Sequence, residues 1–373
     1  MTFLIACGGT GGHLAPGIAL AEGLTARGHQ ATLVVSHKKI DARLLEKYRQ
    51  LSFVTIPGAP FAKSPAGLAR FAWQQSRGLL FARRLVRRTR PAGIVGFGGF
   101  TTAAIILAGA LDGVPVALHE ANRVPGKAIR RLSRFARRVY LPAGVSLPEL
   151  RTGVLCPAGL PVRAEIRRHE RAAACAGFGL DPRQRVLALL GGSQGASALN
   201  GWARRMAAPL ARAGVQLYCV TGPGKGATEE LSHPGPGGAP LKAVYSPFCD
   251  RMAELISAAD LVVSRAGAGT IAELIRCGTP AVLVPYPHAA DNHQAANAAE
   301  FARQGGGLVV AQEKLDELDA LVPGLLADDA RRADFRANLQ RMDRDNALDL
   351  ILADLEALTT PPPEAGRTTV ATA

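Results

Sequence analysis

Short apolar runs alternate with amphipathic segments of helical length along nearly the whole chain. Such runs have the length of buried strands, and regular alternation with helices is typical of parallel sheets covered by helices on both faces. The runs fall into two groups of six, separated by a break near residues 161–171. The predicted strands are residues 3–7, 31–35, 93–97, 114–119, 137–141 and 153–156, then 185–190, 216–221, 241–245, 261–264, 281–285 and 307–311.

Each group begins with a strand that leads into a glycine-rich turn, GGTGGH at residues 8–13 and GGSQGA at 191–196. A chain of 373 residues is long enough for two ordinary domains. The repeat therefore predicts an α/β protein of two Rossmann-like, doubly wound parallel-sheet domains, which we place at residues 1–162 and 163–344. Residues 232–240 are rich in Gly and Pro and are expected to form a surface loop. Residues 359–373, with three consecutive prolines, are expected to be a disordered tail.

Positive charge is concentrated in the first half of the chain. Residues 1–160 contain 22 Lys and Arg against 6 Asp and Glu, whereas residues 161–373 contain 22 against 24, so the halves carry +16 and −2 of the total +14. Two stretches, 63–90 and 123–138, contain eight and seven basic residues and no acidic ones. This excess predicts an acidic partner for the first half, which is a nucleic acid, an anionic lipid or a phosphorylated substrate.

Cysteine spacing and hydropathy exclude several protein classes. The six cysteines are far apart and form no CxxC pair, so we expect buried reduced thiols rather than a zinc site or a disulfide framework. Met1 leads into a short apolar run without the basic start of a signal peptide. No run approaches the roughly 18 apolar residues of a membrane-spanning helix. We therefore expect a cytoplasmic protein whose membrane contact, if any, is peripheral.

The unusual loops of the first half all follow predicted strands, where ligands bind in doubly wound folds. The GGTGGH loop allows close backbone approach to a ligand, but it lacks GxGxxG spacing and an acidic partner after the second strand, which disfavours a nicotinamide cofactor. His13 either accepts a proton from a hydroxyl near neutral pH or caps its own helix. In GFGGFTT, at residues 96–102, Phe100 is placed to pack on a sugar ring. In HEAN, at 119–122, an imidazole, a carboxylate and an amide form either a binding site or a hydrogen-bond network under the loop.

The loops of the second half favour a nucleotide. GGSQGA offers a phosphate cradle with Ser193 as a donor. SRAGAGTIAE, at residues 264–273, predicts a helix start suited to a pyrophosphate, with Glu273 one turn later for ribose hydroxyls. The next helix start carries Asp291, which is a candidate N-cap, together with His293 and Gln294. No Asp-x-Asp pair follows a strand, so a required metal is not indicated.

Together, GGTGGH, GFGGF, HEAN, GGSQGA, SRAGAGTIAE and DNHQ, in this order and spacing, resemble one family of enzymes. These are the peptidoglycan glycosyltransferases that add N-acetylglucosamine from its UDP form to undecaprenyl-pyrophosphoryl-N-acetylmuramoyl-pentapeptide (lipid I), which gives lipid II. The resemblance covers about residues 2–355. It implies a GT-B fold, in which the two domains face each other across a cleft and a terminal helix at about 345–358 returns to the first domain. It also implies inverting transfer to the C4 hydroxyl of N-acetylmuramic acid, without a cofactor.

The resemblance assigns the UDP-sugar to the second domain and the lipid-linked acceptor to the first. It leaves two candidates for the catalytic base, His13 and Glu120. The acceptor side includes Phe100, His119 and Asn122. The donor-binding residues implied by motif matching are Thr10, Gly11, Gly12, Asn122, Arg163, Ser193, Gln194, Phe248, Gly269, Thr270, Glu273, His293 and Gln294. The chain departs from the family where Phe100 replaces a common tyrosine, HEAN replaces HEQN and GLPVR, at residues 159–163, replaces GNPVR.

A lipid-linked acceptor gives the basic stretch 63–90 a specific interpretation. Aromatic and leucine residues beside basic ones are typical of a helix that lies on anionic lipid. The alternative is that the apolar side chains pack inward and the arginines are solvated. The predicted membrane contacts are Trp73, Leu79, Leu80, Arg77, Arg83 and Arg84. We therefore expect a peripheral protein on the cytoplasmic face of the plasma membrane, with cell-wall synthesis or division proteins as candidate partners.

Two other function classes are weighed against this one. A UDP-N-acetylglucosamine 2-epimerase shares the two-domain fold but has no lipid acceptor, so it explains neither the basic apolar stretch nor HEAN. A nucleic-acid binding module would use the basic half, yet the basic stretches are interleaved with apolar residues and contain no recognisable RNA or DNA motif. No nucleic-acid partner is expected.

Overall fold

The computed structural model describes residues 1–8, 11–36, 47–58, 64–192, 195–343 and 347–360. The strands in these residues form two separate seven-stranded sheets. The first sheet is parallel throughout and has the order β3-β2-β1-β4-β5-β6-β7. Its strands are β1 (Thr2–Ala6), β2 (Gln30–Ser36), β3 (Ser52–Ile56), β4 (Gly93–Gly96), β5 (Val116–His119), β6 (Arg138–Leu141) and β7 (Leu155–Pro157).

The second sheet repeats this winding, in the order β10-β11-β9-β8-β12-β13-β14. Its first strand, β8, lies at the centre of the sheet, whereas β1 is third of seven in the first sheet, next to the central β4. All its pairs are parallel except the edge hairpin formed by β10 and β11. The strands are β8 (Arg185–Leu190), β9 (Val215–Val220), β10 (Glu229–Pro234), β11 (Pro240–Ser246), β12 (Leu261–Ser264), β13 (Ala281–Leu283) and β14 (Gly307–Val309).

Helices cover both faces of both sheets, because the strands are apolar on both sides. In β1, Leu4 and Ala6 belong to one buried cluster while Phe3 and Ile5 belong to another on the opposite face. The prediction of two doubly wound sheets is confirmed. The helices are α1 (Gly11–Ala26), α2 (Pro65–Thr89), α3 (Phe100–Leu111), α4 (Lys127–Leu132), α5 (Arg171–Ala176), α6 (Ser197–Arg212), α7 (Met252–Ala258), α8 (Ala268–Cys277), α9 (His293–Arg303), α10 (Leu318–Ala327), α11 (Asp329–Met342) and α12 (Ala347–Thr359).

Two edge strands differ from the sequence-based expectations. The strand β3 was not predicted, because its five residues include only three apolar ones and are half exposed. The strand β10 (EELSHP) alternates half-buried and exposed residues and pairs with β11 through its backbone. The expectation of a loop over residues 232–240 is therefore wrong at both ends, where the hairpin strands continue. Edge strands of this kind need little apolar content, since only one side of the strand is paired.

The last helix, α12, packs against the first sheet rather than the second. Its residues Ile351, Leu352 and Leu355 are buried in the same cluster as Phe3 and Ile18. The helix ends at Thr359, one residue later than the expected helix and inside the expected tail, most of which lies outside the described residues. The strands of the first sheet end at Pro157 and those of the second begin at Arg185. The domain boundary at residues 162–163 stays a prediction.

The contact between α12 and α1 is close. A Cβ atom on Gly23 of α1 would lie 2.7 Å from Cδ1 of Leu352, so glycine at this position lets the helices approach. Charged and polar side chains also hold α12 on the first sheet. The Asp354 carboxylate of α12 lies 2.8 Å from both Arg138 Nε and the Tyr140 hydroxyl of β6.

We expect Leu352→Ala to lower the free energy of unfolding by about 2–5 kcal/mol, because it leaves a cavity between α12 and α1. Leu352 is 2% exposed, whereas Leu350 on the same helix is 39% exposed. Leu350→Ala is therefore the matched control, with an expected change of about 0.5 kcal/mol or less. Urea denaturation followed by circular dichroism measures both, and equal effects would contradict the docking of α12.

Candidate active site

Loops at the carboxyl ends of the two sheets face each other. The loops after β1, β4 and β5 lie on one side and those after β8, β12 and β13 on the other. Contacts cross between them: α1 touches α8, Arg130 lies 3.4 Å from Asp291, and Lys47 donates a hydrogen bond to the Asp250 carbonyl at 3.3 Å. The predicted site residues that the structure describes lie on these loops and adjoining helix starts, apart from Arg163 and Phe248.

His13 lies in the first turn of α1 and is half-buried. Its Nδ1 is 3.2 Å from the Gly8 carbonyl oxygen. A carbonyl can only accept, so Nδ1 carries the hydrogen and the neutral ring has its lone pair on Nε2. Burial lowers the pKa of His13, and the hydrogen bond to Gly8 and the charge of Glu120 oppose this only in part. The imidazole is therefore neutral at pH 7 and can accept a proton at Nε2.

Two glycines of the GFGGFTT loop shape the space beside His13. Gly98 and Gly99 have φ angles of +93° and +84°, which favour glycine. A Cβ atom on Gly98 would lie 3.5 Å from His13 Nε2, and one on Gly99 would lie 2.8 Å from the Gly8 carbonyl oxygen. A side chain at Gly99 would therefore clash with the carbonyl that holds Nδ1 of His13, whereas a Cβ atom at Gly98 would only reach ordinary contact with the ring. Phe100 begins α3 directly after them, but its side chain lies outside the described part of the structure.

Glu120 is buried and holds its own loop. Its Oε1 accepts hydrogen bonds from the Asn122 backbone N–H at 2.9 Å and the Asn122 Nδ2 at 2.8 Å, and its Oε2 accepts one from the Gly126 N–H at 2.8 Å. This arrangement is the hydrogen-bond network that the sequence left open as an alternative for HEAN. Because three donors already engage the carboxylate, its oxygens are less available for a further proton than Nε2 of His13.

His119 is only 1% exposed. Its Nε2 lies 2.9 Å from the Gly159 carbonyl oxygen, and its ring lies 5.2 Å from the ring of Phe97. Burial lowers the pKa of His119. The imidazole thus ties the end of β5 to the GLPVR segment, and its expected contact with an acceptor stays a prediction.

Arg163 and Glu273 form an ion pair on the other side of the cleft. The Arg163 guanidinium lies 3.3 Å from Glu273 Oε1 and 3.1 Å from Glu165 Oε1, and it donates to the Tyr48 hydroxyl at 3.1 Å. The paired side chains are only 12% and 18% exposed. Burial raises the pKa of Glu273, and Arg163 opposes this shift. The buried carboxylate of Glu273 thus lies close to the start of α8.

The start of α8 presents Gly269 and Thr270 directly before Glu273. Among the described residues, no atom outside the backbone of α8 and the neighbouring residues lies within 4 Å of a Cβ atom built on Gly269, so the space beside this helix start is open. An N-terminal helix turn with open space beside it suits a diphosphate, because its first N–H groups have no partner within the helix.

A cavity of about 310 Å³ lies beside Phe248, which follows β11. Aromatic rings of Phe178, Tyr218 and Phe248 line it, together with the charged side chains of Lys242 and Arg251. This volume is at the lower end of the range for small-ligand pockets, and the aromatic lining suits a flat ring.

The start of α9 has an unusual backbone. Asp291 and Asn292 have positive φ angles of 51° and 56°, and the N-cap is Asn292 rather than Asp291. Next to them, His293 Nδ1 lies 2.7 Å from the Ala290 carbonyl oxygen, and Gln294 Oε1 accepts the Tyr286 N–H at 2.9 Å. These bonds hold the helix start and the loop after β13 together.

The structure describes only some of the remaining predicted residues. Gly11 and Gly12 are the first residues of α1. Thr10, Ser193 and Gln194 lie outside the described residues. Among the residues described, no group of three or more His, Cys, Asp or Glu side chains is arranged to hold a metal. The six cysteines are free thiols, and five of them are buried.

Tyr48 and Asn297 contribute to the site, although the sequence analysis assigned them no role. Tyr48 lies in a segment without a motif, so no sequence signal marks it. Asn297 follows Gln294 by three residues on the same helix, and helical spacing would have placed it on the same face.

Comparison with known proteins supports the interpretation drawn from the motifs in these loops. Residues 3–141 match the Glycosyltransferase family 28 N-terminal domain, and residues 186–349 match the Glycosyltransferase family 28 C-terminal domain. The chain is 58% identical, over 96% of its length and 95% of the relative, to the UDP-N-acetylglucosamine–N-acetylmuramyl-(pentapeptide) pyrophosphoryl-undecaprenol N-acetylglucosamine transferase of Opitutus terrae. The chain belongs to glycosyltransferase family 28. The resemblance drawn from its motifs is confirmed.

A second relative and a solved structure agree with this family assignment. The transferase of the same name from Desulforudis audaxviator is 35% identical over 96% of this chain and 98% of the relative. A crystal structure of Acinetobacter baumannii MurG superposes with a TM-score of 0.70 at 24% identity and covers 95% of this chain and 99% of that one. That likeness establishes the GT-B fold.

In this family 28 glycosyltransferase, Arg163→Met leaves the buried Glu273 carboxylate without its cation. We expect the free energy of unfolding to fall by about 3 kcal/mol at pH 8 and by less at pH 5. The pKa of Glu273, already above its ordinary value of 4.5, would rise further. A raised carboxyl pKa gives stability that is lost as the pH rises through the folded value, so the deficit grows with pH.

The double variant Arg163→Met/Glu273→Gln is the matched control for this ion pair. It removes both charges, so we expect it to recover most of the lost stability and to show no added pH dependence. Thermal unfolding between pH 5 and pH 8 measures all three proteins. A deficit in Arg163→Met that does not vary with pH would contradict the ion pair.

Proposed function

We propose that this chain transfers N-acetylglucosamine from UDP-N-acetylglucosamine to the C4 hydroxyl of N-acetylmuramic acid in undecaprenyl-pyrophosphoryl-N-acetylmuramoyl-pentapeptide, which converts lipid I to lipid II. The observation that carries the proposal is the 58% identity, over 96% of the chain, to a transferase with that substrate in its name. The reported relatives are transferases, and a UDP-N-acetylglucosamine epimerase is not favoured.

The first half of the chain would bind the acceptor and activate its hydroxyl. The C4 oxygen attacks C1 of the donor sugar from the face opposite the diphosphate, the C1–O bond to UDP breaks, and the configuration at C1 inverts. We assign the hydroxyl proton to Nε2 of His13, because the Nδ1–H bond to Gly8 fixes the accepting tautomer and the low pKa keeps the ring neutral. Glu120 then holds the loop beside it rather than taking the proton. Phe100, His119 and Asn122 stay as candidate acceptor contacts.

The second half would bind UDP-N-acetylglucosamine. We assign the diphosphate to the start of α8 at Gly269 and Thr270, with Arg163 as the nearby cation, because developing charge on the leaving group needs stabilisation. Glu273 would bind the ribose hydroxyls, and the cavity beside Phe248 would take the uracil. His293 and Gln294, at the start of α9, would contact the hydroxyls of N-acetylglucosamine.

Incubation with UDP-N-acetylglucosamine and a short-chain lipid I analogue tests the function. We expect the disaccharide product and UDP in equal amounts. With UDP-N-acetylglucosamine alone we expect no N-acetylmannosamine product. Rapid formation of the manno epimer would contradict the proposal in favour of the epimerase.

His13→Ala should lower kcat by roughly 100-fold or more, as expected for loss of a general base, while UDP affinity stays within about 2-fold by calorimetry. The wild-type kcat/KM should fall as the pH drops through the lowered pKa of His13, below 6.5, because the protonated ring cannot accept a proton. This limb should be absent in His13→Ala. If Glu120→Gln removes the limb and His13→Ala retains it, the base is Glu120.

We further propose that α2 binds an anionic membrane surface. In the part of the chain that the structure describes, no helix is both long and apolar enough to cross a bilayer. On α2, Trp73 is 63% exposed and Leu80 is 58% exposed, and the Arg77 guanidinium lies 5.9 Å from the centre of the Trp73 ring. Arg84 is also exposed, which adds positive charge beside the apolar side chains.

Two of the other predicted membrane contacts have partners within the protein. Leu79 is half-buried and packs against the core of the first sheet, and Arg83 lies 3.3 Å from Asp112. We therefore assign the membrane contact chiefly to Trp73 and Leu80. This surface and a lipid-linked acceptor support a location on the cytoplasmic face of the plasma membrane. Cell-wall synthesis or division proteins stay candidate partners.

Trp73→Ser/Leu80→Ser should weaken binding to vesicles containing phosphatidylglycerol by roughly 10-fold or more, because two apolar side chains no longer enter the interface. The single variant Leu350→Ser changes an exposed leucine on α12 and should leave vesicle binding unchanged. Turnover on a short-chain soluble acceptor should stay within about 2-fold of wild type in both. Unchanged vesicle binding by the double variant would contradict the assignment of α2.

A further inference from the structure

The side chain of Asn297, on α9, forms hydrogen bonds with both halves of the molecule. It is 5% exposed. Its Oδ1 accepts the Arg123 backbone N–H at 2.9 Å, and its Nδ2 donates to Asn122 Oδ1 at 3.0 Å and to the Ala266 carbonyl at 3.2 Å. Asn122 and Arg123 belong to the loop after β5, and Ala266 belongs to the loop after β12. One buried amide therefore joins the two facing loops.

The hydrogen bonds continue from Asn297 to Glu120 in one direction. Asn297 donates to Oδ1 of Asn122, and Nδ2 of Asn122 donates to Oε1 of Glu120 at 2.8 Å. A side-chain amide has a donating end and an accepting end. Once Oδ1 of Asn122 faces Asn297, its Nδ2 is the end that faces the carboxylate. Asn297 thereby fixes the orientation of Asn122, and Asn122 fixes Glu120.

This series of contacts starts at the helix proposed to bind the donor sugar. Asn297 lies about one turn after His293 and Gln294, the first two residues of α9. The series ends at Glu120, whose charge raises the pKa of His13. Hydrogen bonds thus join the helix assigned to the donor sugar to Glu120, the carboxylate in the loop after β5.

We propose that Asn297 is a positioning residue for transfer, which couples the donor-sugar helix α9 to the acceptor loop at residues 120–126. With α9 docked on this loop, Asn122 and Glu120 take the orientation seen here beside His13. Without that docking, the amide of Asn122 is free to turn and the carboxylate is held only by backbone N–H groups. The inference rests on the proposed function of the cleft, and it adds a reason why chemistry requires both halves to face each other.

A double-mutant cycle tests the coupling. Asn297→Ala and Asn122→Ala should each lower kcat/KM for the acceptor by roughly 10-fold or more, since each breaks the same series of hydrogen bonds. The kcat/KM of the double variant should then lie within about 3-fold of that of the less active single variant. Losses that multiply would show that the two residues act independently and would overturn the proposal. UDP affinity should stay within about 2-fold of wild type in Asn297→Ala.

Asn338→Ala is the matched control. Asn338 is a partly buried asparagine of the same half, and its Nδ2 donates to the Gly305 carbonyl of that half at 2.9 Å. It should reduce thermal stability while leaving kcat/KM within about 2-fold. If Asn297→Ala does not fold, Asn297→Ser replaces it in the cycle, because a shorter hydroxyl also fails to bridge to Asn122.

A second readout does not depend on activity. The pKa of His13, followed by NMR of histidine-labelled protein and assigned with His13→Ala, should fall in Asn297→Ala. The charge of Glu120 raises this pKa, and the carboxylate, although still bound by backbone N–H groups, has lost the fixed amide that orients it. The same shift is expected in Asn122→Ala and none in Asn338→Ala. An unchanged His13 pKa in Asn297→Ala overturns the coupling whether or not transfer is detected. Absence of transfer in the wild type overturns the proposed function and leaves this readout in force.

Discussion

Burial of parallel strands on both faces is the constraint on which the rest of the structure depends. Strands such as β1 and β8 are apolar at every buried position because helices cover both sides of each sheet. Polar groups that act on a ligand are therefore confined to the loops where strands end. Parallel strands end at the same edge, so these loops converge. Two such sheets with facing edges bring His13 and Glu273, which are 260 residues apart, to opposite sides of one cleft.

Two buried polar contacts lie at the facing edges, and they differ in kind. On the donor side, Arg163 pairs with Glu273, and both charges pay a desolvation cost that close contact offsets. On the acceptor side, the Asn297–Asn122 connection is neutral and involves no charge until it reaches Glu120. A neutral, directional connection orients groups without adding a field of its own. This suits the proposed role of His13, which requires a lowered pKa, whereas the charged pair lies near the helix start to which we assign the diphosphate.

Motif spacing predicted the loops of the cleft but not the contacts among them. Apolar runs located twelve strands because a strand buried on both faces has to be apolar. The edge strands β3 and β10 lacked that signal, since one side of each is unpaired and half-exposed. HEAN predicted a cluster of polar groups, yet only the fold shows that Glu120 is engaged by its own loop. The role of Asn297 depends on the relative placement of two sheets, which no local pattern encodes.

In the folded protein, charged residues are arranged differently from their order along the sequence. The acidic residues Asp354 and Glu356 lie on α12, in the near-neutral half, but α12 packs on the first sheet. There they pair with Arg138 and Arg27 of the basic half. Part of the +16 is thus neutralised within the protein.

On α2, by contrast, acidic partners are few. Arg83 and Arg87 share a single carboxylate, that of Asp112, while Arg77 and Arg84 remain exposed beside Trp73 and Leu80. The uncompensated charge of the first half is therefore enriched on a helix that also exposes apolar side chains. An interfacial helix needs this combination, because charge attracts the protein to anionic lipid and apolar side chains hold it there.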